Sequence, residues 1–416
     1  MKTSRRLPAT LASLVAATVI LAGCNTTDTT GPNNRAATAS PAAAPTARTS
    51  PAWAGVPVEE QRSVTEKLAY LQTVDRHDRV REARRLGLSE AHLFAFDVGK
   101  NVIRLKDGRD TAYSILLRLH ELGRIRAAAR NEHVILNVTG TANPPRQIPA
   151  TAEREARTFP GYFGAPIDLR PDFAQWQFTF AQVTFTREGQ ARRSLHFFDA
   201  QGRAVQRLYI DSLDGIEAFE KIVQDFRADA QSAQVLTTPA EPEPTPRAEA
   251  NIDTAGLLAA WDKLTDVHQF SGLLAKFDVT RLQALRVAGP ARAQRLSGPD
   301  ALIALLNGIA TRQIEILAFV SNSANTQIFT GKIEEPTQTA GGWIRVTDSN
   351  GLNLLIQKAG IDQLWLVRKP SSVGILSTVE VYNSAGEVIV QFYSRRTRGQ
   401  GESETWRELL ASLPKA

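Results

Sequence analysis

The chain has 416 residues, 43% hydrophobic and 22% charged, which is material for one large or two medium globular bodies. Its formal net charge of +6 falls by three, to about +3, once Lys2, Arg5 and Arg6 are removed with a signal segment. No dense Lys/Arg stripe interleaved with aromatics accompanies that charge, so no nucleic-acid partner is expected, while a small anionic ligand suits it.

In chain order, residues 1–23 read as a signal peptide: a cationic start, then the short apolar run LPATLASLVAATVILAG. The run stops at LAGC, which resembles the bacterial lipoprotein signal and marks Cys24 as the lipidated new N-terminus. Two or more acyl chains suffice for stable membrane attachment. Asn25 after the cysteine gives no Asp-type inner-membrane cue. The expected location is therefore the cell envelope, lipid-anchored and facing the periplasm, with the outer membrane preferred. The chain's only methionine, Met1, leaves with the signal, and its only cysteine is capped by lipid. That excludes zinc–thiolate sites, iron–sulfur clusters, disulfides and cysteine nucleophiles. A metal ligand must come from His, Tyr, carboxylate or Lys.

Residues 24–57, rich in Thr, Ala and Pro, bury too little apolar surface to offset ordering entropy and read as a disordered tether. Two bodies follow, 58–230 and 253–413, separated by a Pro/Glu-rich linker at 231–252. They read as repeats of one another. LGLSEAHLFAF (Leu86–Phe96) matches FDVTRLQALRV (Phe277–Val287), each with a Ser or Thr suited to cap a helix. RNEHVILNVTG (Arg130–Gly140) matches SNSANTQIFTG (Ser321–Gly331). RRSLHFFDAQGRAVQRLYI and LSTVEVYNSAGEVIVQFYS both read as strand, turn at Gly202 or Gly386, strand. QWQFTFAQVTFT alternates Trp176, Phe178 and Phe180 with polar residues, as a half-buried antiparallel strand does. The chain ends in a helix capped by Ser403, with Trp406, Leu409 and Leu410 on one face. The expected fold class is α+β, with two homologous repeats, each of helices plus a large antiparallel sheet.

No Gly-rich phosphate loop, paired-histidine zinc motif or nucleophile elbow is present. Of the histidines, His92, His120 and His133 stand in ordinary helix or loop contexts, and His196 lies within a strand. His268, in DKLTDVHQFSGLLAKF, is set apart by its neighbours. Trp261, Leu264, Val267 and Phe270 follow helical spacing, and His268 falls one and two turns beyond Leu264 and Trp261. An imidazole beside an aromatic wall suits haem iron. Pattern alone favours a packed core histidine, and reads Lys369, Arg395 and Arg396 as a solvated strand edge. In the repeat alignment His77 stands opposite His268.

LTDVHQFSGLLAKFDVTRLQALRVAG, GWIRVTDSNGLNLLI and IDQLWLVRKPSSVGILSTVEVYNSAGEVIVQFYSRR, with LGLSEAHL, ARNE, IDLR and RRSLHFFDAQGRAV in the first half, resemble the HemS/ChuS-type haemin-transport and haemin-degrading family. The resemblance implies two similar α+β halves holding one haem in a cleft between them. It implies His268 as axial ligand and Arg130 as an arginine reaching the opposite face from the first half. Lys369, Gln391, Tyr393 and Arg396 match polar pocket residues. Lys and Arg would neutralise the haem propionates by charge-assisted hydrogen bonds. Gln391 and Tyr393, two apart on a strand, share a face. The sequence departs from the family in its export signal, in Gln206-Arg207 where members often carry His-Lys, and in the long loop after Gly140 and long linker. The expected function is a membrane-tethered haem-binding protein in haem or iron acquisition, with haem-transporter components or an electron donor as partners. Its alternatives are oxidative haem degradation at the same site and an envelope scaffold without haem.

Overall fold

The computed structural model describes residues 58–74, 79–151, 155–164, 166–240, 246 and 248–416. The first repeat runs α1 (Val58–Thr73), α2 (Arg79–Arg85), α3 (Glu90–Ala95), β1 (Val102–Arg104), α4 (Arg109–Leu117), β2 (Ile125–Arg130), β3 (Val134–Gly140), β4 (Arg146–Ile148), β5 (Arg157–Phe159), β6 (Asp168–Pro171), β7 (Trp176–Phe185), β8 (Ala191–Asp199), β9 (Ala204–Ile210) and α5 (Ile216–Phe226). The second runs α6 (Thr254–Trp261), α7 (Gln269–Phe277), α8 (Arg281–Val287), β10 (Ala293–Leu296), α9 (Gly298–Thr311), β11 (Ile316–Ser321), β12 (Asn325–Gly331), β13 (Thr337–Gln338), β14 (Trp343–Thr347), β15 (Leu352–Gln357), β16 (Gln363–Ser371), β17 (Gly374–Tyr382), β18 (Val388–Ser394) and α10 (Glu404–Ser412).

Local chemistry explains the corresponding starts. Ser89 and Thr280 cap α3 and α8, each in a reciprocal capping box with the side chain three residues on, His92 or Gln283. Gly202 and Gly386 take positive φ in the β8–β9 and β17–β18 turns, a conformation costly for any residue with a Cβ. Ser403 caps α10, whose Trp406, Leu409 and Leu410 are buried.

All pairing within the two large sheets is antiparallel. Strand order β1-β7-β8-β9-β2-β3 in the first repeat is repeated as β10-β16-β17-β18-β11-β12 in the second. Neither sheet is completed by its own repeat. β15 pairs with β3, with Leu354 opposite Leu136, and brings β14 and β13 into a nine-stranded sheet. In return β6 pairs with β12, Leu169 opposite Gln327, and closes a seven-stranded sheet.

A polar seam repeats the exchange on a smaller scale. Asn131 donates to the carbonyls of Ser321 and Ile389, and Asn322 donates to those of Arg130 and Val205. Gln206, in the Gln-Arg pair that departs from the family, is buried and binds Asn325 (2.7 Å) and Gln327 (3.1 Å) across the repeats. The main apolar core spans both repeats, from Leu136 and Phe197 to Leu305, Ile309 and Trp406. Burying each such side chain stabilises the fold by roughly 1.5–3 kcal/mol.

Candidate functional site

The helices of the second repeat cover only part of their sheet. Trp261, Phe270 and Leu285 from α6, α7 and α8 pack with Trp365, Val367 and Tyr382 of β16 and β17. The neighbouring face, formed by β18, β11, β12 and the exchanged β6, floors a cleft of about 820 Å³, a size usual for small-molecule sites. Strand alternation places Leu317, Phe319, Ile328, Gln391, Tyr393 and Arg170 on that floor. Val267, His268 and Phe270 overhang it. Both repeats line the cleft, unequally: the first supplies Gly164, Asp168 and Arg170. A second cavity of about 820 Å³ shares Gly164, Thr330 and Arg395 with it but has no imidazole in its wall.

The strand registers identify each floor position's counterpart in the first repeat. Arg126 stands for Leu317, Ala128 for Phe319, Asn137 for Ile328, Arg207 for Gln391 and Tyr209 for Tyr393. The first-repeat face is thus cationic and polar where the second-repeat floor is apolar.

His268 is not two turns along one continuous helix from Trp261, as its spacing predicts. α6 ends at Trp261 and α7 begins at Gln269. The break has a local cause. Asp266 Oδ1 accepts from the His268 amide at 2.8 Å, while Gln269 Oε1 accepts from the Asp266 amide at 3.2 Å. Asp266 thus closes a turn just before α7 through the amide two residues on, with Gln269 reaching back to the Asp266 amide, while His268, the N-cap itself, has no side-chain cap bond. Trp261, Leu264 and Phe270 turn inward, whereas the His268 side chain is 88% exposed. The same Asp266 Oδ1 lies 2.6 Å from His268 Nδ1. A carboxylate oxygen only accepts, so in the neutral ring the proton belongs on Nδ1 and the lone pair on Nε2. The two hydrogen bonds from His268 hold the Asp266 carboxyl below the usual carboxylate range. Ser372 donates to the Thr265 carbonyl at 2.8 Å, tying this turn to the β16–β17 hairpin.

A buried ion cluster lies in the cleft wall. Glu380 accepts from Arg281 Nε (2.7 Å) and Nη2 (2.6 Å), Lys369 Nζ (2.9 Å) and the Tyr382 hydroxyl (2.6 Å). Burial alone would push the Glu380 carboxyl up, but Arg281 and Lys369 overcome it and hold the group well below its ordinary value. Burial, then Glu380, pushes the Tyr382 hydroxyl upward. Two cations on one carboxylate leave a net positive charge beside the floor. Phe270 covers both, its ring centroid 4.8 Å from Lys369 Nζ and 5.0 Å from the Arg281 guanidinium carbon. Lys369, expected to grip acid groups of a ligand, is only 1% exposed and already paired. It shapes the floor instead. Tyr393 stacks edge-on to Phe319, centroids 5.3 Å apart, with its hydroxyl 3.5 Å from Lys369 Nζ.

The rim carries the freer cations. Arg396 and Arg398 are exposed and make no salt bridge among the described residues, though Arg396 is near enough to act on the Asp266 carboxyl, whereas Arg395 pairs with Glu315 at 2.8 Å. Glu402 anchors their loop by accepting from Ser377 N (2.6 Å) and Oγ (2.9 Å). Burial raises its pKa against those hydrogen bonds.

The structure therefore brings His268, Lys369, Gln391, Tyr393 and Arg396 together, and does not bring Arg130 with them. Arg130, at the end of β2, is ion-paired with Glu90, which also binds Arg207 at 2.9 Å. Burial opposes ionisation of Glu90, and Arg130 and Arg207 restore it. Cys24 and His77 lie outside the described residues. His92 closes a helix cap, His133 meets Gln357 at 3.1 Å, and His196 is buried against Phe94. Among the described residues no three His, Cys, Asp or Glu side chains are grouped to hold a bare metal ion. No described helix is long and apolar enough to cross a membrane. Sequence reasoning missed Asp266, Arg281, Glu380, Asp168 and Arg170. Asp266 carried a local signal, the Asp-x-x-Gln spacing of a helix start, and Asp168 and Arg170 stood in the IDLR segment of the resemblance without any role being read for them.

Comparison with known proteins bears directly on this cleft. The family model of the haemin-degrading HemS/ChuX domain matches twice, at residues 87–226 and 278–413. The chain is 33% identical over 334 residues to the hemin transport protein HmuS of Yersinia pestis, covering 79% of this chain and 90% of that one. It is 32% identical to the hemin transport protein HemS of Yersinia enterocolitica, with the same coverage. Among solved structures it resembles holo-PhuS, a heme-binding protein from Pseudomonas aeruginosa, at a TM-score of 0.73 and 31% identity, covering 87% of this chain and all of that one. It also resembles ChuS, an E. coli heme oxygenase, at a TM-score of 0.68 and 28% identity, covering 84% of this chain and 99% of that one.

Proposed function

The chain belongs to the haemin-degrading HemS/ChuX family, with the domain present twice, and on that premise we propose that it binds one haem in the second-repeat cleft as a carrier. In this reading Cys24 tethers it to the membrane of the cell envelope and it serves haem or iron acquisition. The observation that carries the proposal is His268: an exposed imidazole with Nδ1 engaged and Nε2 free, overhanging an apolar floor.

The residues present fit the ligand. His268 would hold the iron, and Leu317, Phe319 and Ile328 would offer the apolar surface to the macrocycle. Arg396, with Arg398 beside it, would receive the propionates by charge-assisted hydrogen bonds. The surplus positive charge of the Arg281–Glu380–Lys369 cluster favours the same dianion. Gln391 and Tyr393 supply polar groups on the floor. Arg130 would have to leave Glu90 to take part.

Bound haem would supply iron and redox chemistry; this chain's own residues bind, orient and neutralise it. The likeness to an E. coli heme oxygenase supports a second reading, oxidative haem breakdown in the same cleft. That reading needs electrons from a partner, since the sequence has no flavin or nicotinamide motif of its own.

Titrating the full chain with haemin tests both readings. Binding gives a sharp Soret band that weakens in His268→Ala. A wild-type spectrum unchanged from free haemin rejects carrier and enzyme together. Adding a reductant under air then separates them: bleaching with iron release marks breakdown, and a persistent band marks a carrier.

A further inference from the structure

The contact between Asp266 and His268 is more than a helix start requires. Closing the turn that leads into α7 needs only the bond from the His268 amide to Asp266 Oδ1, at 2.8 Å. The same oxygen also takes the ring Nδ1, at 2.6 Å. Gln269 Oε1 holds the Asp266 amide from the other side, and the Ser372 amide holds the Thr265 carbonyl. The carboxylate is thus fixed by its own turn at hydrogen-bonding distance from the imidazole, before any ligand arrives. Val267, between the two, faces the cleft with the imidazole.

We propose that Asp266 is a positioning residue that fixes His268 as the Nδ1–H tautomer and gives its ring a partly anionic character, so that haem bound through Nε2 is held in the ferric, carrier state. The inference rests on the proposed haem binding through His268. Its chemistry is general. A carboxylate accepting the Nδ1 proton of a metal-bound histidine orients the ring and makes the opposite nitrogen more basic. A more electron-rich donor stabilises the higher oxidation state, and second-shell hydrogen bonds are a lever on haem potential. The proton stays shared between Nδ1 and Oδ1, and no bond is broken. An iron kept ferric resists the reduction that oxidative breakdown requires, so Asp266 weights the cleft toward carrying.

The test separates turn closure from electronics. Asn closes such turns as Asp does, and Ser more weakly. Asp266→Asn keeps a neutral acceptor near the ring; Asp266→Ser keeps an oxygen for the His268 amide and removes the carboxyl from the ring. The full-length wild type and both variants are loaded with haemin. The reduction potential, the iron–histidine stretching frequency of the reduced form and the rate of ferric haemin loss to a scavenger protein are then measured. The potential should move positive and the stretch to lower frequency from wild type to Asn to Ser. Haemin loss should quicken by about 10–100-fold, the usual effect of removing a partner of a metal-bound histidine. Thermal unfolding of the haem-free Asn variant should match wild type, and if the Ser variant misfolds the Asn variant alone decides. A potential and stretching frequency unchanged in Asp266→Asn would overturn this inference and leave the site intact. Failure of the wild type to bind haemin, or undiminished binding by His268→Ala, would instead overturn the reading beneath it.

Discussion

Replacing Glu380 by Gln removes one negative charge from a site where nothing else compensates it. The Glu380 side chain is fully buried and Lys369 is 1% exposed, so the ammonium cannot reach water when its partner goes. Arg281, 24% exposed, can turn partly toward solvent. The cost is therefore set mainly by one stranded lysine, and breaking a buried pair from one side typically costs about 3–5 kcal/mol. At about 2 °C per kcal/mol for a body of this size, the melting temperature falls by roughly 6–10 °C. Urea denaturation followed by tryptophan fluorescence measures the loss. The double variant Lys369→Met/Glu380→Gln, which removes the stranded cation, should recover at least half of it. Acid dependence provides a second check. The folded-state pKa of Glu380 is depressed, so its contribution is complete above the ordinary value of 4.5 and declines as the pH falls below it. Glu380→Gln should lose that part of the acid sensitivity. A single-variant loss under about 1 kcal/mol, or a double variant no more stable than the single, would refute the stranded-charge argument.

Two further outcomes follow from the comparison of the repeats. One haemin should bind per full chain, by spectrophotometric titration, because Arg126, Ala128 and Asn137 replace the apolar floor of Leu317, Phe319 and Ile328; a second site of equal affinity would contradict this. Gly202→Ala should destabilise more than Gly386→Ala in urea melts. Both need left-handed backbone, worth about 1–2 kcal/mol, but only at Gly202 would the new Cβ fall 2.1 Å from Ser89 Oγ, against 3.3 Å from Leu282 at Gly386.

Short-range rules made much of the scaffold legible. The caps at Ser89, Thr280 and Ser403, the two glycine hairpins and the amphipathic face of α10 each depend on neighbours within a few residues, and all stand where their patterns predict. The duplication was readable too, because strands that keep their order keep their alternation. His268 was found through its neighbours, yet its helical register was misread. Apolar spacing across Trp261, Leu264 and Phe270 continues through a break that Asp266 imposes.

What the sequence determined by itself was the α+β class and the twofold repeat, since period-two alternation and capping are written locally; the polar residues of the second-repeat sheet were reached only through the family resemblance. The tertiary structure alone decided the exchange of β6 and β15, the pairing of Lys369 with Glu380, the separation of Arg130 from the cleft and the arrival of Asp168 and Arg170 within it. Those outcomes turn on which distant strand accepts a hydrogen-bonding edge and which buried charge meets its partner. Such contacts join positions that no local spacing connects.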